Sequence, residues 1–77
     1  SADNTMNSLS SAFGLLDKNE KLVASFSHLP VMQSLINDKI KSFTEFQNAL
    51  KVSLENETID AATAKKMSDN FIKTLGL

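Results

Sequence analysis

Pro30 is the only proline among 77 residues, and it stands between two stretches whose apolar side chains recur at helical spacing. Proline lacks the backbone donor that a helix interior uses and disfavours helical geometry in the residue before it. A helix arriving at His28-Leu29 therefore ends there, while Pro30 suits the first position of the next. The chain is predicted to bend at its midpoint with almost no linker. Beyond the bend, Val31, Met32, Leu35, Ile36 and Ile40 cover about half of a helix circumference at ~100° per residue. A surface helix needs a narrower stripe. The helix over residues 30–40 is thus expected to be touched on two sides, or to present part of its arc outward.

The flanking segments read as narrower amphipathic helices. Asp3 or Asn4 offers a cap to a first helix running to about Leu16, with Met6, Leu9, Phe13 and Leu16 on one face. Asp17 and Glu20 have the spacing of a capping box for a second helix carrying Leu22, Val23, Phe26 and Leu29. A single helix over residues 3–29 is the alternative. Gly14, Asp17 and Asn19 are poor interior residues and favour a break near residue 17. Lys41 and Ser42 read as a short turn, because Ser42-Phe43-Thr44-Glu45 is a capping box for a fourth helix with Phe43, Phe46, Leu50 and Leu54 on one side. Glu55 to Thr58 ends it. Thr58 or Asp60 caps the last helix, Ile59 is placed as a hydrophobic staple, and Gly76 is suited to its C-terminal end. Ala61, Ala64, Met67, Phe71, Ile72 and Leu75 form its apolar stripe.

The expected fold is all-α, a compact bundle of four to five short amphipathic helices forming a single domain over residues 1–77. There is no alternating apolar run to suggest a strand. A chain this short buries only ~60% of its unfolded surface, so it depends on good packing, self-association or a partner. Disulfides and thiolate metal sites are excluded, since there is no cysteine, and one histidine argues against a zinc site. No cofactor is expected. Eight lysines against nine acids, no arginine and no tryptophan or tyrosine argue against nucleic acid. No apolar run approaches the ~18 residues of a membrane span. The expectation is a soluble protein, cytoplasmic or periplasmic, with peripheral membrane association open to it.

Each candidate site has a plain structural explanation. His28 at the bend lacks a nucleophile and an orienting acid, so it reads as an exposed helix-end residue. Ser34-Leu35 resembles the modified serine-leucine of acyl carrier proteins. However, Gln33 stands where that family has aspartate, and Pro30 puts the serine inside a helix. Asn56-Glu57-Thr58 matches a glycosylation sequon, but Thr58 already has a capping task. The acidic residues at 17–20 and 55–60 lack the spacing and glycine of a calcium loop. The five phenylalanines, one or two to a helix, read as core. An enzyme is not expected.

The core does not absorb every apolar residue. Leu15, Val52, Leu77 and the Met32, Ile36 and Ile40 part of the central arc remain. A cluster of such residues on a small chain points to self-association, a partner groove or lipid contact. The layout of about five short amphipathic helices bending at Leu29-Pro30 resembles the saposin-like family, in a form without that family's cysteines. The resemblance implies a V of helices that closes over its own apolar surface or opens onto lipid. It also implies a tie to protein secretion, as in bacterial proteins of this cysteine-free kind. The first expectation is therefore a non-enzymatic protein that meets lipid or a membrane surface through Leu15, Met32, Ile36, Ile40 and Val52. The alternative is a soluble protein–protein module (an adaptor, an immunity-type protein or a homodimer) using the same surface. Balanced charge and the absence of tryptophan argue against strong affinity for anionic membranes.

Overall fold

The computed structural model describes the backbone of residues 2–30 and 33–76, and side chains within that range from residue 7 onward. Three helices account for most of it. Helix α1 spans Ala2–Ala24 and runs into a 3₁₀ turn over Ser25–His28. Helix α2 spans Gln33–Glu55, and α3 spans Ala61–Leu75. Cross-helix contacts join the middle of α1 to α2 in antiparallel sense and to α3 in parallel sense, giving a rod 49 × 18 × 16 Å. The described residues are all-helical as expected, but with three α-helices where four to five were anticipated.

Two anticipated breaks do not occur, and each has a physical reason. Gly14 sits on the exposed face of α1 with open space beside its Cα, so it costs the helix only its intrinsic ~1 kcal/mol. The other poor formers are recruited across the bundle. Asp17 and Glu20 both reach Lys51 Nζ of α2, at 2.8 and 3.2 Å, and Asn19 reaches α3. Asp17 therefore serves as an ion-pair partner instead of a cap. At Lys41-Ser42 the buried positions Ile36, Phe43, Leu50 and Leu54 keep one face through the anticipated turn. A continuous helix buries them all against the same neighbours, which outweighs the local Ser42–Glu45 capping box; Ser42 and Glu45 are both exposed on the outer side.

The remaining boundaries follow local chemistry. Leu29 is extended, with φ −74° and ψ 124°, as the residue before a proline must be. Pro30 itself is not helical, and the described part of α2 starts at Gln33. Between α2 and α3, Thr58 N–H bonds Ser53 O at 2.9 Å and Glu57 N–H bonds Leu54 O at 3.2 Å, the paired closure of a Schellman motif. The left-handed residue it requires is Glu57, at φ 61°. Asp60, not Thr58, caps α3 by accepting the Thr63 N–H at 2.7 Å, and Ile59 folds back onto the core beside Ala64. Gly76 ends α3 in the left-handed region at φ 68°. At the other end of the chain Asp3 and Asn4 lie inside α1, which begins at Ala2.

Inward positions recur every seven residues: Leu9, Leu16 and Val23; Ile36, Phe43 and Leu50; Ala61, Ser68 and Leu75. That spacing keeps each seam facing its neighbours in a bundle of nearly parallel helices. The core is in two parts. Ala12, Leu16, Leu50, Leu54 and Ala64 form one, and Val23, Phe43 and Leu75 the other. Phe71 bridges toward α2, stacking on Phe46 at 4.5 Å and meeting Phe43 at 5.8 Å. Polar residues separate the two apolar parts. Gln47 and Ser68 are fully buried, and Asn19 donates to Ser68 Oγ at 2.7 Å and to Asp69 Oδ1 at 3.0 Å.

Candidate interaction surface

The lengths of the helices decide what the bundle leaves uncovered. The Lys39 ammonium of α2 donates to the carbonyl of Leu75, the last residue of α3. Helix α3 therefore ends level with Lys39, and the first turn of α2 continues past it. Leu35 lies on that overhanging turn and is 44% exposed, while Leu29 in the connection is 47% exposed. Leu22, near the end of α1, is 50% exposed. Leu35 thus stands exposed beyond the end of α3 and Leu29 in the connection, while Leu22 lies farther back, beside Val23 and level with Phe43.

The anticipated contact residues do not form one surface. Ile36 is buried, and Ile40 is half-buried against the Val23–Phe43–Leu75 cluster, so both belong to the core. The central arc is wide because α1 and α3 both pack on it. Leu15 and Val52 are exposed, Val52 at 58%; Leu15 lies two turns before Leu22 on the same face of α1, and Val52 stands near the far end of α2. Met32 and Leu77 lie outside the described residues. Leu22, Leu29 and Leu35 were assigned to core stripes by their spacing alone. Their signal was the width of the apolar arc through Leu35, combined with the shortness of the last helix.

Charge is distributed unevenly along the rod. Near the start of α2, Lys39 and Lys41 stand beside Asp38, while Lys21 and Lys73 lie farther along the rod, level with Glu20 and Glu45. The opposite end carries Glu55, Glu57 and Asp60, with no lysine in residues 52–64. Between them charges balance and several pair. Lys65 meets Asp69 at 2.6 Å, and Lys51 holds Asp17 and Glu20. The hydrogen bond to Asp17 does most to raise the Lys51 pKa, burial opposes it, and Glu20 adds to the rise. The bond from Lys65, then that from Asn19, lowers the Asp69 pKa.

The chemically suggestive single residues have modest surroundings. His28 and Ser34 are exposed, Ser34 within α2. Asn56 Oδ1 accepts from both the backbone N–H and the hydroxyl of Thr58, so the sequon is folded into the α2–α3 turn. Among the described residues no three or more His, Asp or Glu side chains come together to hold a metal ion. No described helix is long and apolar enough to cross a membrane. Comparison with protein-family models, with curated proteins and with solved structures found no match in any of the three.

Proposed function

We propose that the protein is a non-enzymatic helical module that binds a lipid or membrane surface through the end bearing Leu22, Leu29 and Leu35. The observation that carries this reading is the exposure of three leucines, Leu22, Leu29 and Leu35, within the short stretch of chain that links α1 to α2. Exposed apolar residues scattered singly need no explanation, whereas a grouped set does. The saposin-like resemblance points the same way and suggests a role in protein secretion as the setting. Burying the exposed half of each leucine contributes about 1 kcal/mol, so the three together supply about 3 kcal/mol. That alone is weaker than millimolar affinity, which suits reversible, peripheral contact.

Co-sedimentation of the whole chain with vesicles tests the reading. Native protein is expected to pellet with lipid, and Leu29→Ser with Leu35→Ser to pellet less while keeping its helical circular dichroism. Failure to pellet at high concentration with vesicles of any headgroup charge would sink it. A protein partner is the second reading, favoured by Val52 and Leu15, which are exposed elsewhere on the rod. A stable dimer in sedimentation equilibrium that Val52→Asp disrupts would support it over the first.

A further inference from the structure

We infer that the protein pairs with a second copy of itself through the flank formed by α2 and α3, the two rods lying antiparallel. This goes beyond the lipid reading and involves a different face from Leu22 and Leu29. The flank is located by Phe46, which stacks on Phe71 across the two helices while both rings stay half-buried. Met67 stands one turn before Phe71 on the same side of α3 and is 39% exposed. Residues three, four or seven apart share a helix face. Ala49 and Ser53 therefore accompany Phe46 on α2, and Thr63 and Thr74 accompany Met67 on α3. Among the described residues, none on this flank between Lys39 at one end and Asp60 at the other is charged.

The other two flanks differ. Asp17 and Glu20 meet Lys51 between α1 and α2, and Asp69 joins Asn19 and Lys65 on the α1–α3 side. Aromatic rings and methionine where charge is depleted are the composition of an interface centre. Three observations make a second copy the occupant. In a twofold pairing each residue near the axis meets its own copy, so a charge there faces its like, whereas an uncharged strip faces no repulsion. The area is sufficient. One flank of three, over the ~22 Å length of α3 on a 49 Å rod, is about 800 Å² of the 5171 Å² accessible surface, and ~800 Å² per partner is the usual size of a specific interface. The ends also match. Lys39 is level with Leu75, eight residues from Met67, and Asp60 lies seven residues from it in the other direction. An antiparallel pair centred on Met67 therefore sets Lys39 of each copy level with Asp60 of the other.

Sedimentation equilibrium of the whole chain, without lipid, tests the pairing. The mass is expected to rise from 8.4 kDa toward twice that value between about 1 μM and about 1 mM, since interfaces of this area bind at micromolar or tighter. Met67→Glu and Met67→Lys each set like charges against one another across the axis and should weaken pairing at least about tenfold. An equimolar mixture of the two should recover it, because opposite charges then meet. Thr63→Glu, at an exposed position, should weaken pairing likewise while the helical circular dichroism is kept. Val52→Asp, which lies outside this flank, should leave it unchanged. A chain that stays monomeric at the highest concentration overturns the α2–α3 pairing. So does a dimer that both Met67→Glu and Thr63→Glu leave intact, or one that only Val52→Asp breaks. Each of those results leaves the lipid reading standing, because no lipid is present.

Discussion

The Gln47 side-chain amide of α2 donates to the backbone carbonyl of Leu16 in α1 at 2.7 Å, while its own Oε1 is buried with no hydrogen-bond donor. Leu16 O lies inside a helix and has the backbone ladder as well, so the extra bond is worth little to it. The orphaned Oε1 costs about 1–3 kcal/mol. Gln47→Leu is therefore expected to stabilise the fold by about 1–2 kcal/mol. For a domain this size that raises the melting temperature by about 4–8 °C per kcal/mol. Gln47→Glu should lower it sharply, because burial penalises a charge with no counter-ion. Thermal unfolding followed by circular dichroism decides the point. A leucine variant less stable than the native chain would show that Gln47 has a donor in solution. One that is stable but no longer monodisperse would show that the polar layer holds the helices in register.

Glu57 occupies the left-handed position of the Schellman turn, which disfavours any residue with a Cβ by about 1–2 kcal/mol. It also puts a negative charge just past the C-terminus of α2, the unfavourable end of the dipole. Glu57→Gly removes both penalties and adds some backbone freedom to the unfolded chain. The net expectation is a gain of about 0.5–1 kcal/mol, read as a higher urea midpoint at unchanged slope. A lower midpoint would mean that the Glu57 side chain has a stabilising partner.

Phe43 is the largest fully buried side chain and joins Val23 of α1 to Leu75 of α3. Phe43→Ala is expected to cost about 3–5 kcal/mol, comparable to the whole stability of a small domain. The variant should be substantially unfolded at room temperature by near-ultraviolet circular dichroism or amide exchange. Lys51→Met is the contrast: its ion pairs with Asp17 and Glu20 are partly exposed, and its loss should cost under about 1 kcal/mol. If the two variants were equally unstable, the ion pairs would be carrying more of the bundle than the core.

Asp60 and Asp69 are expected to contribute to the acid limb of the stability curve. The Thr63 hydroxyl and backbone N–H lower the Asp60 pKa, and Lys65 followed by Asn19 lowers that of Asp69. Both groups have an ordinary value of 3.8, so their stabilising contribution is complete above it. It is lost as pH falls through the lowered folded values. For Lys51, raised from 10.5, the contribution is complete below that value and lost as pH rises past the folded one. Asp60→Asn and Asp69→Asn should each flatten the fall of melting temperature at acid pH without altering the alkaline limb. An unchanged acid limb in both variants would exclude these two groups as its origin.

Much of the fold is legible in particular residues. The Pro30 bend, the Asp60 cap with its Ile59 staple and the Gly76 terminus all appear where local chemistry puts them, because each depends on groups within a few positions. The Asp17 and Ser42 breaks fail for the opposite reason. A capping box is worth about 1 kcal/mol, and a continuous apolar seam packed on two neighbours is worth several times that. The leucine end was not legible, since Leu22, Leu29 and Leu35 have the same helical spacing as true core residues.

The sequence by itself determined an all-helical chain without disulfides, bent at Pro30, with Phe43 buried and Phe13, Phe46 and Phe71 packed on the core. Helical periodicity and proline stereochemistry act over a few residues and need no knowledge of neighbours. Only the tertiary structure decided that four segments merge into two long helices, that Asn19, Gln47 and Ser68 interrupt the core, and that α3 stops level with Lys39. Those outcomes depend on which faces meet and how far each helix overlaps the next. The same overlap leaves Leu35 exposed beyond the end of α3 and puts Glu55, Glu57 and Asp60 at the other end of the rod.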